Sequence, residues 1–188
     1  MRNIISSVEA EYRRYKALAE GAMAQLAESD LSRPPANGSN AIAVIVWHVS
    51  GNLSSRFTEL LTADGEKPWR KREEEFEPRT VTRQELLEKW DRGWSVLLGA
   101  LAGLGDADLA RTVTIRGQGL AVYDALHRSL AHTSYHVGQI VYVAKAFREQ
   151  AWSFLSIPPG GSDAYNRNPA HEKPAAHAAA LRDKKPTV

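Results

Sequence analysis

Residues 120–148, LAVYDALHRSLAHTSYHVGQIVYVAKAFR, decide the fold. Val122, Leu126, Ser129, Thr133, His136, Ile140, Val143 and Phe147 recur at alternating spacings of four and three. At 3.6 residues per turn this lays them along one face of an α-helix. At about 1.5 Å per residue such a helix is roughly 40 Å long, so it needs partners of comparable length to cover its apolar face.

Three further segments supply them. Over residues 3–29, Ile5, Val8, Tyr12, Tyr15, Ala19, Met23 and Leu26 follow the same spacing and predict a first helix. Pro34, Pro35, Asn37 and Gly38 interrupt the pattern, after which Ser39 or Asn40 can cap a second helix to about residue 61, with Ile42, Val46, Val49, Leu53, Phe57 and Leu60 as its buried stripe. Thr82 followed by Glu85 forms a capping-box pattern for a third helix, marked by Leu86, Trp90, Trp94, Leu97 and Leu101. Trp90 and Trp94 are expected as core anchors.

Between the second and third helices, Gly65, Pro68 and Pro78 surround the block Arg70-Lys71-Arg72-Glu73-Glu74-Glu75, which reads as a connection with a solvated surface. Gly103, Gly105 and Asp106 end the third helix, and residues 111–116 alternate like a short strand or hairpin arm before Gly117 and Gly119. Beyond Trp152 lie five of the nine prolines, an Ala and His stretch and a Lys-rich end, predicting a loop-like tail whose distal part is disordered. The fold expected is all-α: a four-helix bundle domain over residues 1–150 with long connections, and an irregular C-terminal tail over residues 151–188.

The 188 residues suit one core, and 24 Lys and Arg nearly balance 22 Asp and Glu, an excess of two charges that implies no basic patch and no nucleic-acid partner. The absence of cysteine excludes disulfides and thiolate ligands, so any metal must take nitrogen or oxygen donors. Residues 1–14 lack the apolar core of a signal peptide and no run approaches a membrane span, so a cytoplasmic protein is expected.

The chemistry-bearing residues are histidines. His132 and His136, four apart, project about 40° from one another and one turn apart, a spacing that can chelate one ion. His48 interrupts an otherwise apolar run over residues 41–49, where a buried imidazole needs a hydrogen-bond or metal partner. If the two helices face one core, the three converge into a site with three protein nitrogens and an open position; three unlinked core or surface histidines are the competing reading. His127 projects away from the buried stripe, and His171 and His177 sit in the tail, so all three are expected at the surface. Glu-x-x-His, His-Glu-x-x-His, glycine-rich phosphate loops and a serine elbow are all absent.

Two motifs, Val46-Trp47-His48-Val49-Ser50-Gly51-Asn52-Leu53 and His132-Thr133-Ser134-Tyr135-His136-Val137-Gly138-Gln139-Ile140, resemble those of the DinB-like family of metalloenzymes, the damage-inducible four-helix bundle superfamily of bacteria. The likeness spans roughly residues 1–148, and Ser156-Ile157-Pro158 with Gly160-Gly161-Ser162 resembles the ending of an uncharacterised branch. The resemblance implies that His48, His132 and His136 bind one divalent metal ion, zinc or nickel, and that the protein is a homodimer. Its characterised relatives include transferases of the low-molecular-weight thiols bacillithiol and glutathione, and mycothiol-dependent isomerases.

The function expected is therefore that of a metal-dependent enzyme acting on a small molecule, of thiol-transferase or hydrolase type, in which the ion lowers the pKa of a bound water or thiol. The alternative is a non-catalytic, metal-stabilised bundle that binds a ligand or partner under stress. Asn52 and Gln139 can orient what the ion binds, or can be plain surface amides. Tyr135 and Tyr142, seven apart, can meet a second copy or pack half-buried. No Asp or Glu stands at a helical spacing that puts it beside the three histidines, so no general base is assigned.

Overall fold

The first helix predicted from periodicity, α1, covers Asn3–Met23 in the computed structural model, which describes residues 1–183. Its first backbone N–H groups are capped from far away in sequence: the Asp106 carboxylate accepts from the amides of Ile4 at 3.1 Å and Ile5 at 3.0 Å. The helix stops six residues before its predicted end at residue 29, where the Arg83 guanidinium donates to the carbonyls of Met23 and Leu26. A one-turn helix, α2 (Glu28–Ser32), follows with acidic residues in its first turn.

The next helix, α3, runs over Ile42–Phe57 and is buried on nearly every side, as its uninterrupted apolar sequence requires. Ala41 stands at its N-cap, so neither Ser39 nor Asn40 caps it. It ends at Phe57, where Thr58 turns extended and Glu59 adopts φ +52°, and Leu60 packs from the connection beyond. The fourth helix, α4 (Arg83–Ala102), starts on the expected capping box: Thr82 accepts from the Glu85 amide and the Glu85 carboxylate accepts from the Thr82 amide at 2.8 Å. Helices α3 and α4 approach closely at Gly93, where a Cβ would stand 2.7 Å from the Ser50 Cα.

Strands β1 (Thr112–Ile115) and β2 (Gln118–Ala121) form a two-stranded antiparallel hairpin, with Ile115 opposite Gln118. Strand β2 leads straight into α5 (Val122–Arg148), so Leu120, expected as the helix start, belongs to the strand. Helix α1 packs on α4 and α5, and α3 also packs on α4 and α5, enclosing one apolar core. Trp90 and Trp94 are fully buried in it, as expected, and Tyr12 meets the Trp94 and Phe57 rings edge-on. The Tyr12 hydroxyl donates to the Leu126 carbonyl, joining α1 to α5.

The architecture is thus all-α apart from this hairpin. Two expectations need correction. The charged block at residues 70–75 is not wholly a solvated surface: Lys71 to Glu74 are exposed, but Glu75 is 7% exposed and the Arg70 side chain 2%. The tail is not simply loop-like, because it carries α6 (Ser162–Asn166) and α7 (Pro174–Asp183), and Ala178 and Leu181 of α7 pack on Ala17 and Leu18 of α1. Alanine has the highest helix propensity, so the Ala-rich stretch after Pro174 forms a helix once α1 offers an apolar surface. His177 is accordingly buried, at 7% exposed, and its Nε2 donates to the Leu155 carbonyl at 2.8 Å. The disorder expected at the extreme end concerns residues 184–188, which lie outside the described residues. Among the described residues no helix is long and apolar enough to cross a membrane.

Candidate metal centre

His48 projects from the middle of α3, where its neighbours Ile45, Val46 and Val49 are all buried, and is itself only 5% exposed. Helix α5 meets it with His132 and His136, half-buried and one turn apart. The Nε2 atom of His132 stands 3.2 Å from Nε2 of His48 and 3.2 Å from Nε2 of His136. The three ligand nitrogens all lie within 4.8 Å of one another.

The outer ring nitrogens reveal how the rings are held. His48 Nδ1 lies 2.9 Å from Glu75 Oε2, and a carboxylate only accepts, so Nδ1 carries the proton and donates it. Glu75 is fixed in turn by Arg70, whose Nε and Nη2 donate to its two oxygens at 2.8 Å each. Burial alone would raise the Glu75 carboxyl, but the hydrogen bonds from Arg70 and His48 outweigh it and hold the group below the ordinary range, as an anion. Gly51, one turn after His48, makes the approach possible: a Cβ there would fall 2.7 Å from the Glu75 carboxyl carbon. On the other helix, His136 Nδ1 donates to Gln139 Oε1 at 2.8 Å.

With both Nδ1 positions protonated, the Nε2 atoms of His48 and His136 present bare lone pairs to the Nε2 of His132. At most one proton can sit among those three nitrogens, and it can satisfy only one neighbour. A cation satisfies all three. Nitrogens around a tetrahedral zinc-type ion at about 2.0–2.1 Å stand roughly 3.3 Å apart, close to the two separations of 3.2 Å. The residues present therefore fit a divalent ion, and an all-nitrogen donor set suits transition-type ions over magnesium or calcium.

The electrostatics agree. Burial, then the neighbouring His136 and His48, then Arg70 and Arg56, push His132 down from 6.5 to about 4. His136 is also lowered, by burial against the opposing effect of its bond to Gln139. Both rings are thus neutral near pH 7, the form that binds metal. The Glu75–His48 pair is the carboxylate–histidine arrangement that orients a ligand ring and raises its basicity.

A pocket of roughly 230 Å³ opens beside His48 and His132. Phe57, Leu60, Ile115 and Ala125 form its apolar wall, while Arg56, Arg70, Arg72, Arg116 and Arg128 line the rest with no carboxylate among the lining residues. The near-neutral composition, which implies no basic patch, conceals this gathering of five guanidinium groups at one opening, four of them paired with carboxylates.

The structure brings His48, His132 and His136 together in one cluster, and His127 is exposed, as its angle on the helix predicts. Asn52 lines the pocket next to His48, whereas Gln139 holds the His136 ring and so stands one bond further from the centre than expected. Sequence reasoning missed Glu75, Arg70 and the pocket arginines, all but Arg56 and Arg128 from connections without periodicity. Gly51, a bare position three residues after a buried histidine, was the one signal of something approaching that face.

None of the curated proteins matches the chain. Among solved structures, the chain is similar to one titled "Crystal structure of the conserved protein of locus from Enterococcus faecalis", with a TM-score of 0.57 and 16% identity over 78% of this chain and 98% of that one. At that identity the likeness speaks for the fold alone. The model of the family described as "Protein of unknown function (DUF1572)" matches residues 1–161, a range that takes in the three histidines, Glu75 and every pocket arginine, and the chain belongs to that family.

Proposed function

We propose that this protein is a DinB-like four-helix bundle in which His48, His132 and His136 bind one divalent metal ion, zinc or nickel, and that the centre serves a metal-dependent reaction of a small molecule, of transferase or hydrolase type. The observation that carries the reading is the convergence of three Nε2 atoms whose opposite ring nitrogens, on His48 and His136, are already committed as donors to Glu75 and Gln139. A bound ion would supply Lewis acidity and lower the pKa of a water or thiol in a remaining coordination position. The protein's part is to hold the rings: Arg70 fixes Glu75, Glu75 fixes His48, Gln139 fixes His136, and the pocket beside His48 and His132 admits the reactant. Glu75 is fully engaged by His48 and Arg70, so it positions a ligand ring and is not a free base. A cytoplasmic homodimer completes the proposal, with Tyr135 and Tyr142, 64% and 76% exposed on α5, as the contact for a second copy.

The test is elemental analysis of tag-free protein purified without nickel resin, comparing wild type with His48→Ala and His132→Ala. Near-stoichiometric zinc or nickel in wild type, lost in both variants, is the expected result. A folded wild type that holds no metal and takes up neither added zinc nor added nickel would overturn the reading.

A further inference from the structure

The pocket beside the histidines carries an observation the metal site does not require. Arg128 lies one helical turn before His132 on α5, so the two side chains share a face with about 5–6 Å between their Cβ atoms. It is exposed and makes neither an ion pair nor a hydrogen bond among the described residues, although it lines the pocket. Across the opening, Glu66 is shared by two arginines: it accepts from Arg56 at 3.2 Å and from Arg116 at 2.8 Å. Glu66 therefore answers two guanidinium groups and Asp64 lies near enough to Arg56 to interact with it, whereas Arg128 has no carboxylate partner.

Arg116 is also placed at a local cost. It is the first of two residues, Arg116-Gly117, that close the β1–β2 hairpin, with φ of +53° and +73°. Such turns favour Asn, Asp or Gly at the first position, and a long side chain in left-handed backbone costs on the order of 1 kcal/mol. The turn is nevertheless pinned: Asp64 accepts from the amides of Arg116 and Gly117 at 2.8 Å each, and the Gly65 amide donates to the Thr114 carbonyl at 2.7 Å. The fold holds an arginine at the pocket rim where turn chemistry alone would choose another residue.

From these observations we infer that the pocket binds the oxyanion group, carboxylate or phosphate ester, of a small organic anion, seated between Arg128 and Arg116 with its apolar part against Phe57 and Ile115. This deepens the proposed function by naming the substrate class, and it rests on that reading only in directing the anion's far end toward the histidine centre. Planar guanidinium donors match both oxyanions, and Arg128, the one pocket arginine among the described residues without a carboxylate partner, leaves charge for a ligand to neutralise.

Calorimetric titration of butyrate, butyl phosphate and neutral butyramide into zinc-loaded and metal-free protein tests it, with Arg128→Gln and Arg116→Gln as variants and far-UV circular dichroism as the folding check. At least one anion should bind the metal-free protein at least tenfold more tightly than butyramide, and Arg128→Gln should weaken it roughly tenfold to a hundredfold, the range for a lost charged hydrogen bond. Preference for butyl phosphate assigns a phosphate ester, and preference for butyrate a carboxylic acid; either supports the inference. Equal binding of butyramide, or anion binding that neither arginine variant alters, overturns it. Because the decisive arm is metal-free, anion binding without zinc uptake would sink the metal reading alone, and zinc uptake without arginine-dependent anion binding would sink this one alone.

Discussion

Two histidine clusters of this protein solve the same problem in opposite ways. In the tail, His177 is buried and its Nε2 donates to the Leu155 carbonyl, while its ring stacks on His171 at 5.0 Å. That is an ordinary satisfied imidazole. Between α3 and α5, three imidazoles turn the same kind of atom toward each other, and on His48 and His136 the outer nitrogen is committed as a donor, leaving the lone pair on the inside. Burial alone does not distinguish the clusters, since His48 and His177 are 5% and 7% exposed. What distinguishes them is which ring nitrogen has a protein acceptor: His177 is satisfied through its Nε2, whereas the Nε2 atoms of the trio face one another and could hold an ion.

The largest effect that can break this comparison comes from Glu75. Glu75→Gln removes the anion that fixes the His48 tautomer and leaves Arg70 buried without its partner, and zinc affinity should fall about 10–100-fold in a competition titration with a chelator. Unchanged affinity would make Glu75 a structural ion-pair partner with no bearing on the centre. Gly51→Ala should act on the same link from the other side, because the new Cβ occupies the carboxyl's place. A loss of metal affinity of roughly tenfold, with about 1–3 kcal/mol lost in denaturant unfolding of the metal-free protein, is expected. If affinity survives while stability falls, the glycine serves packing only.

The pH dependence sharpens the contrast. His132 has a folded-state value of about 4 against an ordinary 6.5, so between those values the unfolded chain binds more protons than the folded one. The stability of the metal-free protein should therefore decline as pH falls from about 6.5 toward 4, and thermal unfolding of His132→Ala should lose part of that slope. An identical slope in the variant would assign the acid sensitivity elsewhere. The smallest effect belongs to the tail: His177→Ala should cost on the order of 1 kcal/mol through its lost hydrogen bond and leave zinc affinity unaltered. A change in zinc affinity there would dissolve the distinction between the clusters.

The long helices and the His132–His136 pair were legible from periodicity, and His48 from its interruption of an apolar run. A spacing of four and three places Val122, Leu126, His136 and Ile140 along one face, and the same geometry puts His132 at its margin. Helix ends were less legible, since α1 is terminated by Arg83 from another helix and α3 starts without a side-chain cap. Glu75 was hidden for a different reason. It sits in the 3-10 turn Glu73–Phe76, among like residues that are exposed, and what selects it is the space above Gly51 and the reach of Arg70. The convergence of pocket arginines from α3, α5 and two connections is likewise set by tertiary structure, and α7 by the apolar patch that α1 presents to it.

That patch has a practical consequence. Helix α1 is apolar on two sides: Ile5, Tyr12, Ala19 and Met23 face the main core, while Ala17 and Leu18 meet Ala178 and Leu181. The family match ends at residue 161, ahead of α6 and α7, so a recombinant fragment trimmed to that boundary would leave the outer side of α1 bare to water. Cutting there would turn an interior seam into a sticky exterior, and fragments for crystallisation or assay are better carried through Asp183.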